Sequence, residues 1–415
     1  MSSIHTVVIG GGQSGLAMSR CLTDAGIEHV VLERGQTAER WDRERWDSLR
    51  LLTPNWASRL PGWEYRGTDP NGFMTAAELT AYLRAYADSF GAPVQHGTDV
   101  VSVTGAAGAF VVRTTQTTWR ASNVVVATGW SDQPHVPALA ARLPRGITQV
   151  TPVSYRNPAQ LPDGGVLIVG AGATGVQLAD ELAAAGRDVV LAVGHHNRVP
   201  RRYRGMDIWW WMDRIGVFAA TIDDVSDPRQ ARNDGSLQLV GRDDQRNVDL
   251  PALHAAGVQV VGRVTAVEGS RVRLAADLAA TMSTADDRLG RLLGQIDEYI
   301  SAQGLDAEVL PAVRPSGLRV TEPVPELDLS ARGIGTVVWA TGYRRPYPWL
   351  RVPELDRHGE IAHQRGVTRV DGVYVLGQRF QHRRDSNFID GVRHDASYLA
   401  RSIALRHARR QPAAS

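Results

Sequence analysis

The sequence predicts an α/β fold made of two similar units, because one glycine-rich pattern occurs twice, each time directly after an apolar run. The first copy, Gly10–Gly15, follows Thr6–Ile9, and the second, Gly170–Gly175, follows Val166–Val169. Both fit G-x-G-x-x-G between a buried strand and a helix, where glycines let backbone N–H groups approach a pyrophosphate closely. The pair predicts two Rossmann-like dinucleotide-binding domains, the second inserted in the first. The turn residues predicted to bind cofactors are Gly10, Gly12, Gln13, Ser14 and Gly15, and Gly170, Gly172, Ala173, Thr174 and Gly175.

The first unit continues with a helix and a second strand. The helix ends at Gly26, and the apolar run His29–Leu32 forms the strand. Glu33 follows, 18 residues after Gly15, at the offset where a carboxylate binds a pair of ribose hydroxyls. An unphosphorylated ribose suits FAD or NAD, and we assign this unit to FAD, with Glu33 and Arg34 as ligands. A solvated carboxylate at a strand end is the alternative interpretation.

The second unit has the same order of elements but a different strand end. A helix over Gln177–Ala185 leads to the strand Val189–Val193, after which the chain carries Arg198, Arg201 and Arg202 instead of an acidic residue. Cationic groups here suit the 2′-phosphate of NADPH, because guanidinium groups bind phosphate in charge-assisted pairs. We therefore predict that this unit binds NADPH through the three arginines. A solvated basic loop is the alternative interpretation.

A second duplication predicts how the units are connected. Val124–Trp130 and Val337–Tyr343 are nearly identical strands with a shared Ala-Thr-Gly, and Val94–Val103 resembles Val258–Val267. Each unit is expected to carry a small antiparallel insert before its final strand. The predicted domains are the first part of the FAD domain (1–145), the NADPH domain (146–340, with a helical insertion near 274–333) and the C-terminal part of the FAD domain (341–415). Further predicted cofactor contacts at these strands are Val101, Thr128, Gly129, Thr341 and Gly342.

Two stretches of the second unit lie outside the duplicated pattern. Apolar residues at helical spacing over 289–300 predict an amphipathic helix that packs on the core or on another subunit. Met206–Met212 contains three consecutive tryptophans. Such aromatic clusters usually belong to a core, and the alternative is that this one covers a substrate cavity.

Composition limits the functions that the chain can have. With 43% apolar and 22% charged residues it is typical of a soluble globular enzyme, and its net charge of +2 gives no indication of nucleic-acid binding. Cys21, the only cysteine, excludes an internal disulfide, a CxxC redox pair and a multi-cysteine metal site. The sequence has no metal-binding histidine spacing, signal peptide or long apolar stretch, so we expect a cytoplasmic protein without a metal site or membrane segment.

Together these motifs resemble the two-dinucleotide-binding-domain flavoproteins, in particular the flavin-containing monooxygenases and their bacterial relatives related to Baeyer–Villiger enzymes. Besides the duplicated motifs, the resemblance depends on Arg45–Pro54, Gly372–Gly377 and Asp390–Val392. It implies a tryptophan- and leucine-rich segment along the flavin and a glycine at its ribityl chain and ring. The residues thereby implied beside FAD are Trp41, Arg50, Thr53 and Gly377, with Asn55 as the candidate catalytic residue at the reacting face.

The resemblance implies an FAD- and NADPH-dependent monooxygenase that acts on a small organic substrate. NADPH would reduce FAD, O₂ would add at the flavin C4a position, and the resulting (hydro)peroxide would deliver one oxygen atom to the substrate. One position departs from the family pattern: Thr151 stands where the monooxygenases carry a His before the second glycine turn, which argues against Baeyer–Villiger chemistry.

Two other functions are open. One is a NAD(P)H-dependent reductase that passes electrons to a quinone, a dye or a protein carrier, docked by Arg379, Arg383 and Arg384. A solvated surface run is the alternative interpretation of these arginines. The other is a nucleotide-binding regulator without catalysis, which is the least favoured because it gains nothing from two complete glycine turns. Substrate identity and oligomeric state are not predicted.

Overall fold

The computed structural model describes residues 1–319, 322–353 and 355–410. Its helices are α1 (Gln13–Asp24), α2 (Glu39–Arg43), α3 (Ala76–Ser89), α4 (Ala173–Ala184), α5 (Ile208–Arg214), α6 (Pro228–Arg232), α7 (Leu250–Ala255), α8 (Leu278–Gln303) and α9 (Val392–Arg410). Its strands are β1 (Ser2–Ile9), β2 (His29–Leu32), β3 (Arg59–Leu60), β4 (Trp63–Glu64), β5 (Val94–Gln95), β6 (Val100–Ala106), β7 (Ala109–Thr114), β8 (Thr118–Val126), β9 (Gln133–Pro134), β10 (Thr148–Val150), β11 (Gly165–Val169), β12 (Val189–Val193), β13 (Asn197–Arg198), β14 (Arg202–Tyr203), β15 (Met206–Asp207), β16 (Leu237–Gln238), β17 (Gln259–Gly262), β18 (Val264–Glu268), β19 (Arg271–Leu274), β20 (Glu326–Asp328), β21 (Ile334–Trp339), β22 (Tyr343–Arg344), β23 (His363–Gln364), β24 (Val367–Thr368) and β25 (Val373–Val375).

The first sheet has the strand order β23-β24-β25-β8-β1-β2-β5, and the antiparallel hairpin of β6 and β7 extends it from β8. The neighbours β25, β8, β1, β2 and β5 run parallel. Side chains of β1 alternate between two cores, with Val8 on the face covered by α1, α3 and α9 and Val7 on the face covered by β6 and β7. Burial on both faces explains the continuous apolar run of this strand.

The second sheet is fully parallel, with the order β10-β21-β11-β12-β17. The helix α4 follows the glycine turn after β11, and the antiparallel strands β18, β19 and β20 form the small insert before β21. The chain then returns to the first sheet, where β25 pairs with β8. The predicted α/β fold of two Rossmann-like units, one inserted in the other, is confirmed; the exact domain boundaries stay a prediction.

The helix α8 begins at Leu278, close to the expected start of the insertion. Its buried face includes Leu289, Leu293 and Ile300, which pack with Trp211 of α5 in one core cluster. The tryptophan run is thus largely core, and α8 is the outer layer over it.

Candidate functional site

The first glycine turn is open in the middle and tight at its ends. Gly10 has φ +109°, and a Cβ there would meet the Ala127 carbonyl oxygen at 2.7 Å; a Cβ on Gly15 would clash with the Gly10 carbonyl. A Cβ on Gly12 would meet nothing within 4 Å. Open space directly before the N-terminus of α1 is where a pyrophosphate binds, so the residues of this turn fit a dinucleotide.

Glu33 lies at the end of β2 with a buried carboxylate. Its Oε2 accepts a hydrogen bond from the Gly11 N–H at 2.6 Å, and its Oε1 accepts one from the Gly35 N–H at 2.9 Å. The side chain is 9% exposed and lines the cavity described below. Two backbone donors fix the carboxylate beside the turn, and each oxygen keeps a lone pair for a ribose hydroxyl.

One cavity of about 830 Å³ joins both glycine turns. Most of the predicted cofactor contacts line it, which brings the two Ala-Thr-Gly crossings, the Arg45–Pro54 segment and the C-terminal segment to one place. The predicted residues that line the cavity are Gly10, Gly12, Gln13, Ser14, Glu33, Arg34, Trp41, Arg50, Thr53, Thr128, Gly129, Gly170, Gly172, Ala173, Thr174, Thr341, Gly342 and Gly377. Gly15 and Gly175 lie behind their turns, where a Cβ would clash with backbone.

Asn55 is not placed to act on a substrate. Its Nδ2 donates to the Asp69 carbonyl at 2.9 Å, its Oδ1 accepts from the Met74 N–H at 2.8 Å, and it does not line the cavity. The candidate catalytic role is therefore wrong, because the side chain is used to hold backbone. Val101 is also corrected: it is 51% exposed and points away, whereas its neighbour Val100 lines the cavity, as the alternation of side chains along a strand requires.

The three arginines predicted to bind the 2′-phosphate point elsewhere. Arg198 is buried and its guanidinium pairs with Asp249 at 2.9 Å and Asp286 at 2.5 Å. Arg201 is buried, pairs with Asp207 and donates to the Leu52 carbonyl at 2.8 Å. Arg202 donates to the Gly205 carbonyl, and none of the three lines the cavity. This prediction is corrected, because carboxylates and carbonyls of the protein already occupy these guanidinium groups.

A different pair of side chains, His195 and Arg288, lies at the end of β12. His195 lines the cavity, and its Nε2 is 2.7 Å from Nη1 of Arg288, which α8 contributes. The same Arg288 nitrogen donates to Asn197 Oδ1 at 2.8 Å and to Asp234 Oδ1 at 3.3 Å. Sequence reasoning missed Arg288, because 93 residues separate it from His195 and only the docking of α8 brings them together.

The second glycine turn has the same backbone geometry as the first, with Gly170 at φ +107°, but a side chain occupies the space in front of it. The Ala173 N–H donates to Oγ of Ser236 at 3.2 Å, and a Cβ on Gly172 would clash with that oxygen. Ser236 belongs to the segment 233–237, whose residues all line the cavity. No sequence signal marks this segment, which approaches the turn because β16 pairs with β13.

Three packed aromatic rings form an aromatic wall that lines part of the cavity. Trp209 and Phe218 have ring centroids 4.4 Å apart, and Phe388 lies 5.3 Å from Trp209. Met212 lines the same cavity. Both interpretations of the tryptophan run therefore hold in part, since Trp211 is core and Trp209 faces the cavity.

The C-terminal arginines do not form a surface patch. Arg379 lines the cavity, is partly buried and donates to the Gly235 carbonyl at 3.2 Å; burial lowers the pKa of its guanidinium. Arg383 pairs with Asp385 at 3.1 Å, and Arg384 is exposed at the cavity and lies over the Phe380 ring. Only one of the three is available to an acidic carrier protein.

Neither the single thiol nor the described acidic and histidine side chains form a thiol or metal site in the part of the chain that the structure describes. Cys21 lies on α1, where burial raises its thiol pKa to about 12, so a reactive thiolate does not form near neutral pH. Within residues 1–319, 322–353 and 355–410, no group of three His, Cys, Asp or Glu side chains could hold a metal ion. Across the same residues, every helix is too short or too polar to cross a bilayer.

Known proteins resemble this chain in sequence and in fold. Residues 7–207 match the family model described as pyridine nucleotide-disulphide oxidoreductase. A CzcO-like oxidoreductase from Geobacillus kaustophilus is 32% identical over 403 residues, covering 96% of this chain and 98% of the relative. The chain belongs to this CzcO-like family. The oxidoreductase CzcO of Bacillus subtilis is 28% identical over 403 residues, again covering 96% of this chain and 98% of the relative.

Solved structures extend the likeness to the fold. A flavin-containing monooxygenase from Stenotrophomonas maltophilia superposes with a TM-score of 0.67 at 20% identity, covering 98% of this chain and all of that chain. A bacillithiol disulfide reductase from Bacillus cereus gives 0.62 at 16% identity, covering 98% of this chain and all of that one. An oxidized steroid monooxygenase bound to NADP gives 0.55 at 16%, covering 98% and 86%. The resemblance to flavin-containing monooxygenases is confirmed, and the protein is an oxidoreductase with a fold that binds flavin and nicotinamide cofactors.

Proposed function

We propose that this CzcO-like protein is an FAD- and NADPH-dependent monooxygenase that inserts one oxygen atom of O₂ into a small organic substrate. The observation that carries the proposal is the single cavity, which joins both glycine turns to an aromatic wall. A pocket that holds two nucleotides and an apolar substrate together can couple coenzyme oxidation to substrate oxidation at one place.

FAD belongs at the first glycine turn. Gly12 leaves room for its pyrophosphate, Glu33 faces its ribose, and Trp41 and Gly377 line the cavity beyond the turn. When bound, the flavin supplies the redox chemistry, accepting a hydride and activating O₂. The residues of the chain bind and orient it, and none of them needs to act as a nucleophile.

NADPH belongs at the second turn, with His195 and Arg288 as the partners of its 2′-phosphate. They lie at the end of the strand β12, where a dinucleotide-binding unit carries the residue that contacts the ribose of the coenzyme. A guanidinium and an imidazole favour a phosphate dianion over the uncharged hydroxyl of NADH. This pair replaces Arg198, Arg201 and Arg202 in the assignment.

The aromatic wall suits the substrate end of the cavity. Trp209 and Phe218 are at most 5% exposed, and Phe388 packs against both rings. Their apolar surface excludes water from the place where oxygen transfer occurs, and this limits the loss of activated oxygen as hydrogen peroxide. The substrate is therefore proposed to be an apolar or aromatic small molecule.

The comparisons support oxygen transfer more than electron transfer through thiols. Monooxygenases and a disulfide reductase share the fold, so the fold alone does not choose between oxygen transfer and thiol chemistry. This chain has one cysteine, which is half-buried on α1 and has a raised thiol pKa. Thr151, whose hydroxyl lies 3.3 Å from that of Ser154, stands in place of the family's His, so heteroatom or aromatic oxygenation is favoured over ketone insertion.

The proposal is tested by comparing the NADPH consumed with the products formed. The FAD-loaded protein is supplied with NADPH and a panel of small amines, sulfides, phenols and ketones, and NADPH consumed, hydrogen peroxide released and oxygenated product are measured together. A monooxygenase gives one product per NADPH with little peroxide for at least one substrate. Stoichiometric peroxide with every compound, combined with fast reduction of a quinone or a dye, would instead establish the carrier reductase.

A further inference from the structure

The two glycine turns differ in what stands in front of them. At the first turn, a Cβ on Gly12 would meet nothing within 4 Å. At the second, the hydroxyl of Ser236 stands so close to Gly172 that a Cβ there would clash with it. The turns are otherwise alike, with Gly10 and Gly170 at φ +109° and +107°. The difference therefore comes from the 233–237 segment and not from the turn itself.

Ser236 takes the position of a phosphate oxygen. Its Oγ accepts the N–H of Ala173, the first residue of α4, at 3.2 Å. Backbone N–H groups of the first helical turn are the donors that a bound pyrophosphate uses. A coenzyme phosphate and the Ser236 hydroxyl cannot occupy this place at the same time.

Asp234 stands at the place expected for the 2′-phosphate, the second anionic group of the coenzyme. Its Oδ1 lies 3.3 Å from Nη1 of Arg288 and 3.9 Å from Nε2 of His195. These two side chains lie at the end of β12, where a 2′-phosphate is expected. The carboxylate and the hydroxyl thus lie at two separate points of the nucleotide path, one at the ribose end and one at the pyrophosphate.

The segment is held between the two units. The Gly235 carbonyl oxygen accepts hydrogen bonds from Asn197 Nδ2 at 2.8 Å and from Arg379 Nη2 at 3.2 Å. Arg379 follows β25 of the first sheet, and among the described residues no carboxylate lies within 4 Å of its guanidinium. Burial lowers the pKa of the Arg379 guanidinium, and the negative charge of Asp234 in the same segment opposes this shift.

We propose, on the basis of the NADPH site assigned above, that residues 233–237 act as an internal mimic of the coenzyme. Asp234 substitutes for the 2′-phosphate and Ser236 for a pyrophosphate oxygen, and the segment leaves before NADPH binds. The apparent dissociation constant of NADPH then equals the intrinsic constant divided by the fraction of molecules in which the segment has moved away. Asp234 and Ser236 therefore set coenzyme affinity without touching the bound coenzyme, and Arg379 becomes free for a phosphate when Gly235 departs.

The test uses Asp234→Asn and Ser236→Ala in the FAD-loaded protein. NADP⁺ binding is measured by stopped-flow flavin absorbance and by calorimetry. Each variant removes a contact that keeps the segment closed, so the association rate rises about three- to tenfold, as expected for the loss of one hydrogen bond. The dissociation rate stays unchanged, because the bound state contains neither contact.

Two control variants distinguish an effect of the 233–237 segment on NADP⁺ association from general effects of substitution. Ser236→Thr keeps the hydroxyl and retains the slow association of the natural protein. Glu268→Gln removes one negative charge from the exposed surface of the insert β18–β20, where Glu268 pairs with Arg273 at 3.1 Å, and leaves NADP⁺ association unchanged.

Other outcomes overturn the proposal in distinguishable ways. Faster dissociation and weaker binding in Asp234→Asn and Ser236→Ala would mean that these side chains are direct coenzyme ligands. NADP⁺ binding that is identical in the natural protein and both variants would mean that the segment does not compete. No binding by any of the proteins would refute the NADPH site itself, and the mimic with it.

Discussion

At the scale of single residues, Gly12 is the position at which flavin binding depends on open space. A Cβ there would meet no protein atom within 4 Å, so Gly12→Val places its branches in the room assigned to the pyrophosphate and leaves the fold intact. We expect a folded, colourless protein, with flavin content measured by absorbance and folding by circular dichroism. Gly146→Val is the matched control, because Gly146 is exposed, has equally open surroundings and lies away from the cavity. A yellow Gly12→Val variant with full flavin occupancy would contradict the assignment.

Asn55 is predicted to contribute to stability and not to cofactor binding or catalysis, since its side chain forms hydrogen bonds with two backbone groups. Asn55→Ala leaves the Met74 N–H and the Asp69 carbonyl without their partner, and an unsatisfied buried group costs about 1–3 kcal/mol. We expect the free energy of unfolding, measured by chemical denaturation, to fall by that amount. Flavin content and kcat should be unchanged at a temperature where the variant is folded. A large loss of kcat with unaltered stability would restore the catalytic role.

At the scale of secondary structure elements, α8 contributes a residue to the site as well as a layer to the core. It presents Arg288 to His195 at the end of β12, where a charge-assisted contact to the 2′-phosphate is worth roughly 1.5–3 kcal/mol. Arg288→Ala should therefore lower kcat/KM for NADPH relative to that for NADH by about ten- to a hundredfold. Arg202→Ala, which removes a guanidinium bonded to the Gly205 carbonyl, should not change this ratio. Equal ratios in both variants would show that coenzyme choice lies elsewhere.

The first turn of α9 contains a buried carboxyl group that links stability to pH. Burial, aided by the charge of Asp385, raises the pKa of Asp395 to about 7, against the opposing effects of the Ser386 hydroxyl and Arg383. The usual pKa is 3.8, so the folded protein binds a proton that the unfolded chain releases between pH 4 and 7. This contribution to stability is present at pH 4, declines as pH rises and is lost above pH 7.

Asp395→Asn should therefore stabilise the protein at pH 8 more than at pH 5. The gain at pH 8 has an upper bound of roughly 4 kcal/mol, from 1.36 kcal/mol for each pKa unit. Unfolding by urea at both pH values measures it. Asp88→Asn, at an exposed position of α3, is the control and should have no pH-dependent effect. A variant that is equally or less stable at pH 8 would mean that folding does not raise the pKa of Asp395.

At the scale of the whole molecule, the two units share one cavity, so the coenzyme unit can cover the flavin after hydride transfer. Arg379 and the 233–237 segment connect the units at this place, and small shifts there change access of water to the flavin. We expect excess NADP⁺ to slow reoxidation of the reduced protein by O₂ and to suppress peroxide release. Stopped-flow absorbance and a peroxide assay measure both. Identical rates and stoichiometric peroxide with and without NADP⁺ would favour the reductase.

The sequence by itself determined the local geometry of this protein. Two glycine turns, each between an apolar run and a helix, predicted both Rossmann-like units, because strand, turn and helix are contiguous in the chain and their constraints are local. Glu33 was located for the same reason, since a fixed number of residues separates it from Gly15.

Only the tertiary structure decided which side chains meet. Arg198 and Arg201 carry the right charge at the right distance along the chain, yet Asp249, Asp286 and Asp207 neutralise them in the interior. Arg288 carries no motif and reaches the site only because α8 docks on α5. Ser236 covers the second turn because β16 pairs with β13. A charge becomes available to a ligand only where folding places it at the cavity, and that depends on contacts between residues far apart in sequence.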